Sequence, residues 1–329
     1  MSFTSTLLQW YRANGRQLPW RETRDPYAIW LSEIILQQTR IEQGLPYWQR
    51  FMRRWPTVEA LAAAAEDDVL KEWQGLGYYS RARNLHFAAQ QVVAGGGFPT
   101  TLEGILQLKG VGDYTAAAIG SFAFGLPAAV VDGNVYRVLA RHYGIGTPIN
   151  SSEGKKEFAA LAQQLLPANQ AALFNQAMMD FGATQCTPTS PRCDVCPLQE
   201  SCTALREGRI DQLPVKLKKL AVKERRLLYI YIRYKGMTAL RRRPAGDIWQ
   251  GLYEPWLAER IPAGALPVRL GVKHVLTHRI LYADFYLWEP DEQPTLPDGY
   301  FWTEEAQLDQ YAVPRLVDIL LQRLFTDTK

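Results

Sequence analysis

The chain has 329 residues, of which 47% are hydrophobic and 21% charged, and 37 Lys and Arg against 33 Asp and Glu give a formal net charge of +4. That length suits two or three domains at about 150 residues each, and the mild basic excess favours an anionic partner without identifying it. No apolar run approaches the ~18 residues of a membrane span and no secretory leader pattern is evident, so a cytoplasmic protein is expected, in the reducing compartment that suits free thiols.

In chain order, Asp25-Pro26 is a helix start, a side-chain cap followed by proline in the first turn, ahead of YAIWLSEIILQQ. Further helices are predicted at 58–73, 80–93, 101–107, 113–123, 134–142, 153–165 and 170–181, many of them alanine-rich and separated by Gly or Pro. A polar, basic stretch at 203–224 reads as a linker. The period then changes: LLYIYIRY at 227–234 and LYADFYLW at 281–288 have the aromatic and β-branched composition of strands. PRLVDILLQRLF at 314–325 closes the chain as an amphipathic helix. The expected organisation is a mainly α region at 1–202, a linker at 203–224 and a smaller α+β domain at 225–329. Charge is segregated in the last of these, with eleven Lys or Arg and one acid in 216–243, and seven acids and no base in 289–309.

All four cysteines fall within 17 residues, Cys186, Cys193, Cys196 and Cys202, separated by six, two and five residues. Such clustering rules out a fold-wide disulfide framework and points to one metal centre. Four thiolates suit either Zn²⁺ or a [4Fe–4S] cluster. A single C-x₂-C pair, where structural zinc usually shows two, favours the cluster.

Three further features carry chemistry. QLKGVGDYTAAAIG at 107–120 is a tight turn opening a helix, in which Gly110 and Gly112 allow sharp turning and close approach of another molecule, and the helix-start amides suit a phosphate. Taken alone it reads as an ordinary helix–helix turn. Asp132, in VVDGNVYRVLAR, follows an apolar run and precedes a helix, where an N-cap is its plainest role. Glu33 lies between large apolar residues in IWLSEIILQQT, where desolvation raises a carboxyl's pKa, unless it lies on a solvated helix face.

The hairpin, Asp132 and the cysteine window, in that order, resemble the helix–hairpin–helix base-excision DNA glycosylases. LPWR at 18–21, WLSEIILQQT at 30–39, GLGYYSRARNL at 75–85 and NQAMMDFGA at 175–183 narrow the resemblance to the adenine DNA glycosylases that act opposite oxidised guanine, over residues 5–202 nearly continuously. The resemblance implies a six-helix barrel with hairpin and a [4Fe–4S] cluster held by the four cysteines. It implies Glu33 as general acid and later activator of water, and Asp132 as the carboxylate that stabilises an oxocarbenium-like sugar or bonds to it covalently. Tyr114 stands where the strand-cutting endonuclease III group carries its nucleophilic lysine, so a monofunctional enzyme that leaves an abasic site is implied. Trp20, Arg21 and Gln176 are implied to line an adenine pocket. Gln38, Thr39, Leu76 and Tyr78 are implied to enter the duplex or contact the opposing base, with Gly110, Gly112 and Asn134 also on the DNA side. Arg81, Arg83, Arg137 and Arg141 are candidates for phosphate contacts or solvated helix charges.

Residues 225–329 resemble the Nudix-like C-terminal domain of the same family, which recognises oxidised guanine. No G-x₅-E-x₇-R-E-x₂-E-E pattern is present, which argues against pyrophosphate hydrolysis. Leu276-Thr277-His278 stands where the family often has Phe-Ser-His, so Thr277 and His278 are the candidate readers of the lesion. The partner implied is double-stranded DNA with adenine opposite 8-oxoguanine or guanine, bound by a monomer. Two other readings fit fewer features: an oxidised-pyrimidine glycosylase with lyase activity, against which Tyr114 and the extra domain argue, and a non-catalytic iron–sulfur DNA-binding module, which leaves Glu33 and Asp132 without a joint role.

Overall fold

A computed structural model describes residues 2–217, 223–276 and 278–326. Helices fill the first part of the chain: α1 (Phe3–Asn14), α2 (Pro26–Ile35), α3 (Ile41–Arg54), α4 (Val58–Ala62), α5 (Glu66–Glu72), α6 (Ser80–Ala94), α7 (Leu102–Leu106), α8 (Asp113–Phe124), α9 (Gly133–Tyr143), α10 (Ser152–Leu165), α11 (Ala171–Asp180) and the short α12 (Thr203–Arg206). Strands β1 (Lys223–Tyr234), β2 (Met237–Arg242), β3 (Tyr253–Glu254), β4 (Trp256–Leu257), β5 (Leu266–Val275), β6 (Arg279–Trp288) and β7 (Tyr300–Glu304) follow, with α13 (Arg315–Thr326) last. The predicted segment 58–73 is two helices, not one, broken at Ala63–Ala65. The chain divides into two compact units, Met1–Gly44 with Trp55–Glu59 and Phe87–Lys219, and Leu45–Arg54 with Ala60–His86 and Leu220–Lys329.

In the first unit α2 starts as the sequence predicts, with Asp25 accepting from Tyr27 N at 3.0 Å and Pro26 in the first turn. Nine of its residues are buried, so it is a central helix with no solvated face. The alanines of α8 make a slender helix that packs against α2. α9 is capped by Asp132 and ends at Gly144, whose φ of 70° is the left-handed stop that favours glycine. Leu7, Val138, Leu139, Phe158, Phe174, Met178 and Phe181 form the core beneath it, each burial contributing roughly 1.5–3 kcal/mol. After α11 the chain makes a π turn, Phe181–Gln185. There Gly182 lies so close to α9 that a Cβ would sit 2.6 Å from the Asn134 Cβ.

The expected boundary at 202 does not coincide with the division into units. Residues 203–217 pack on the first unit: Leu213 is in its core, and Ile149 N donates to Val215 O at 3.0 Å and Leu217 N to the Asn150 side chain at 2.8 Å.

The second unit is built on a mixed sheet, ordered β3-β2-β1-β6-β5, with β1 and β6 parallel and the other pairs antiparallel. Alternation along β1 sends Leu227, Tyr229 and Tyr231 to the face covered by Leu316, Val317 and Leu320 of α13, and Ile230 and Ile232 to the other face. The segments 45–54 and 60–86 join this sheet through polar links. Arg242 pairs with Glu66 and Asp67, Tyr253 donates to Asp67 at 3.0 Å and Lys71 to Tyr311 O at 3.2 Å. In the basic stretch five arginines are ion-paired, Arg242 as above, Arg225 with Asp247, Arg233 with Glu289 and Glu305, Arg241 with Glu254, and Arg243 with Asp247 and Glu254, and these pairs take in Glu289 and Glu305 of the acidic stretch. The basic run is therefore mostly sheet with neutralised arginines; residues 218–222 of it lie outside the described residues.

Candidate active site and cluster site

A cavity of about 360 Å³ in the first unit is lined by both predicted carboxylates, Glu33 and Asp132, together with Trp20, Arg21, Thr39, Tyr114, Asn134 and Gln176. Glu33 projects from the buried helix α2 and is 6% exposed, which removes the solvated-face alternative. Burial in this apolar setting raises its pKa to about 7, the Asp132 charge adds to the rise, and Tyr114 and Arg21 oppose it. The Tyr114 hydroxyl donates to Glu33 Oε2 at 2.7 Å, and its own proton is held well above the usual phenol range by burial and both carboxylates.

Asp132 is the N-cap of α9, its plainest reading, and the same side chain lines the cavity. Its Oδ1 accepts from Asn134 N at 2.9 Å and Val135 N at 2.8 Å, and its Oδ2 from Asn134 Nδ2 at 2.8 Å. Burial raises its pKa, and these three donors and Arg137 pull it back. An anion at a helix N-terminus is further favoured by the helix dipole. The two carboxyls thus share a cavity in unequal environments, both desolvated but Glu33 with one phenol donor and Asp132 with three N–H donors, the kind of inequality that separates an acid from an anion.

Asn134 does more than line the cavity. Its Oδ1 accepts from Arg137 Nη2 at 2.7 Å, while Arg137 Nε donates to Cys186 O at 2.7 Å and Nη2 also to Gly182 O at 2.6 Å. Arg141, one turn on, donates to the carbonyls of Ile210, Leu213, Thr187 and Pro188 at 2.7–3.1 Å. Arg137 and Arg141 are 8% and 2% exposed, which corrects the expectation of phosphate contacts or solvated charges: they tie the cysteine loop to α9.

The four cysteines line one apolar cavity of about 30 Å³ with Val138, Phe181, Leu198 and Leu205. None is in a disulfide. The thiols of Cys193, Cys196 and Cys202 are held up by burial and by one another, Cys196 to about 11. Mutually repelling, desolvated sulfurs gathered around one space are what a cationic centre relieves. Among the described residues no three His, Cys, Asp or Glu converge as ligands of one ion would; the four cysteines are brought together as the lining of one cavity.

The remaining predicted residues fall in three places. At the hairpin between α7 and α8, Gly110 has φ 79° and needs glycine, whereas Gly112 is extended at φ −107° and serves as the N-cap of α8. Only the first glycine makes the turn; a Cβ on the second meets nothing. Gln38, with φ 58°, lines a second cavity of about 740 Å³ that shares Glu33, Leu36, Tyr114 and Asp132 with the first. Leu76, Tyr78 and His278 line a third, about 650 Å³, within the second unit. Tyr78 has φ 48° and is 47% exposed, with Arg81 5.4 Å from its ring. A bulky residue held in the left-handed region marks stored strain. Arg81 is desolvated enough to bring its pKa down to about 10, and Arg83 donates to Gln250 O. Thr277 lies outside the described residues; beside it Leu276 N donates to Arg279 O at 2.8 Å.

Several lining residues carried no signal in the sequence. Trp249 (φ 60°), His274, Arg279 and Arg315 share the cavity of Tyr78 and His278. In the first unit Asp180, fully buried, pairs with Arg16 and with both terminal nitrogens of Arg21. A pair separated by 159 residues has no spacing to betray it.

Three family models match: an HhH-GPD superfamily base excision DNA repair protein over residues 31–168, an iron-sulfur binding domain of endonuclease III over 186–202, and a NUDIX domain over 228–323. The chain carries a [4Fe–4S] cluster. The adenine DNA glycosylase of Buchnera aphidicola (subsp. Acyrthosiphon pisum) is 35% identical over 254 residues, 76% of this chain and 73% of the relative; that of Rattus norvegicus is 45% identical over 227 residues, 65% of this chain and 44% of the relative. Among solved structures, a thermostable thymine-DNA glycosylase is 34% identical with a TM-score of 0.58, covering 62% of this chain and 95% of its own. A trapped endonuclease III–DNA covalent intermediate, at 22% identity and TM-score 0.55 over 62% of this chain and 94% of its own, shares the fold. With the helical fold, the iron–sulfur segment and the Nudix-like sheet all matched, the chain belongs to the adenine DNA glycosylase family.

Proposed function

We propose that the protein hydrolyses the N-glycosidic bond of adenine in duplex DNA where it is paired with 8-oxoguanine or guanine, as the base-removing step of base excision repair. The observation that carries this reading is the unequal pair of carboxyls in one cavity: Glu33, buried with a pKa near 7, and Asp132, pinned by three N–H donors. The extruded adenine enters beside Trp20, Arg21 and Gln176, since a base must leave the stack before it is cut. Protonated Glu33, oriented by Tyr114, gives its proton to adenine N7, which makes the base a better leaving group. Ionised Asp132 stabilises the oxocarbenium-like sugar, and Glu33, now a base, activates the water that completes hydrolysis. A positioned acid of this kind contributes about 10²–10⁴-fold.

With Tyr114 in place of a lysine, the product is an intact abasic site. The hairpin amides around Gly110 and Gly112 hold phosphate, and the open space beside Gly112 suits a backbone approaching from outside. The cavity of Tyr78, Leu76 and His278 receives the opposing base, with Thr277 and His278 as readers. Cys186, Cys193, Cys196 and Cys202 ligate the cluster. Bound there, the cluster supplies a rigid cationic core to a loop that Arg137 and Arg141 fasten to α9. The reaction itself transfers no electron. No helix among the described residues is long and apolar enough to cross a membrane, and we place the protein in the cytoplasm as a monomer on duplex DNA.

The test is a single-turnover assay on a duplex with adenine opposite 8-oxoguanine, with and without alkali. Strand breakage only after alkali supports the reading; breakage without it means a lyase, and binding without release of adenine means a non-catalytic module.

A further inference from the structure

The adenine cavity contains a polar relay that no catalytic step above uses. Asp180 is fully buried and takes both terminal nitrogens of Arg21, Nη1 on Oδ2 and Nη2 on Oδ1, each at 2.8 Å. Arg21 Nη1 also approaches the Tyr11 hydroxyl at 3.4 Å. A guanidinium can only donate, so the Tyr11 oxygen faces it as acceptor and the Tyr11 proton points away. It points to Gln176, whose Oε1 accepts from Tyr11 Oη at 3.0 Å. Burial and Asp180 hold the Tyr11 proton in place. Gln176 lines the cavity, Tyr11 does not.

An unrestrained glutamine amide presents oxygen or nitrogen with little preference, because its two ends differ only in hydrogen bonding. Here one end is assigned: the oxygen belongs to Tyr11, and the Nε2 donors are left for whatever occupies the cavity. The ring nitrogens of adenine accept. With N7 assigned to Glu33, the N1 edge is the acceptor that remains away from the sugar. Purines with an oxygen at C6, guanine and hypoxanthine, carry a hydrogen on N1 and would set donor against donor.

We propose that Tyr11 is a positioning residue that selects adenine by fixing the Gln176 amide with its NH₂ toward the N1 edge of the base. The inference rests on the adenine glycosylase reading above. Tyr11 touches no substrate; it acts through Gln176, and the Asp180–Arg21 pair holds it in register. The discrimination is by an unpaired buried donor, the kind that separates substrates far more sharply than a missing methylene does.

The experiment compares single-turnover release of adenine and of hypoxanthine, each opposite 8-oxoguanine, by the full-length wild type and by Tyr11→Phe. The variant keeps the ring and its packing, and a thermal melt with the 400 nm absorbance checks that it folds with its cluster. Freed from Tyr11, the amide can turn its oxygen to a base N1–H. The adenine-to-hypoxanthine ratio is therefore expected to fall about tenfold, the loss of roughly one oriented hydrogen bond, with the adenine rate itself falling less. In a Gln176→Ala background the same substitution should leave the ratio unchanged, which identifies Gln176 as the intermediary. Equal losses on both bases, or no loss on either, overturn the inference. A wild type that releases no adenine at all overturns the underlying reading instead.

Discussion

Glu33 and Asp132 behave differently with pH, and the difference is measurable. An ordinary glutamate loses its proton near pH 4.5, whereas folded Glu33 keeps it to about pH 7. In the proposed mechanism the acid form is the active one, so single-turnover excision should fall as pH rises through 7, and should also fall at low pH as Asp132 takes up a proton. Because the folded pKa is raised, the folded state binds more protons than the unfolded between pH 4.5 and 7, and stability falls as pH rises across that window. Glu33→Gln is therefore expected to be inactive yet more stable than wild type at pH 8, by up to about 3 kcal/mol, with the gain shrinking toward pH 5; denaturant melts at the two pH values measure it. At this scale the sequence was readable where one residue carries a motif. Glu33 between apolar neighbours, Asp132 before its helix and the four cysteines were all visible. Tyr11, Arg16, Asp180 and Trp249 were not, because their roles come from partners 159 to 165 residues away or from a backbone dihedral that only the fold imposes. The hairpin was half readable: Gly110 makes the turn by its positive φ, while Gly112 is extended.

Among elements, α9 and the turn it meets join the two chemical centres of the first unit. Asp132 caps its start, Asn134 and Arg137 lie on its first turns, and Arg141 reaches the cysteine loop at the carbonyls of Thr187 and Pro188 and the segment after it at those of Ile210 and Leu213. Arg141→Ala frees that loop, and the expected result is protein with less iron and a weaker 400 nm band, read by absorbance and metal analysis. Lysine should rescue poorly, since one ammonium cannot span the fork. Gly182→Ala drives a methyl into Asn134 and should destabilise by about 1–3 kcal/mol, moving Asn134 off Asp132 and slowing excision; a melt and a single-turnover rate test both effects. The elements that the sequence revealed are those with caps or strong periodicity, such as α2, α8 and α10. Strand β5 escaped because most of its residues are exposed, so no alternation marks it. Helix α3 is interrupted by Pro46 and signals a break that the fold tolerates. Strands β3 and β4 have two residues each, too short for any period.

At the scale of the molecule, the sequence suggested a boundary at 202 followed by a basic linker, and the structure distributes the chain otherwise. Residues 45–54 and 60–86 cluster with the sheet, a grouping carried by ion pairs such as Arg242 with Glu66 and Asp67 that composition cannot announce. Tyr78 and His278 therefore line one cavity. Arg243 is engaged internally with Asp247 and Glu254, so Arg243→Gln is expected to leave the salt dependence of DNA binding unchanged. It should lower the stability of the second unit by about 1.5–3 kcal/mol, because buried Glu254 loses one of its two arginines while keeping Arg241 and Tyr229; binding titrations across salt and a denaturant melt separate the two effects.

The most direct test of the central claim, that two carboxyls in one cavity carry the cleavage of adenine, is single-turnover excision by Glu33→Gln and Asp132→Asn on the duplex with adenine opposite 8-oxoguanine, read after alkali alongside duplex affinity. The account predicts that each variant binds the duplex near wild-type strength and releases adenine at least 10²-fold more slowly. Near-normal excision by either variant would contradict it and remove that carboxyl from the reaction.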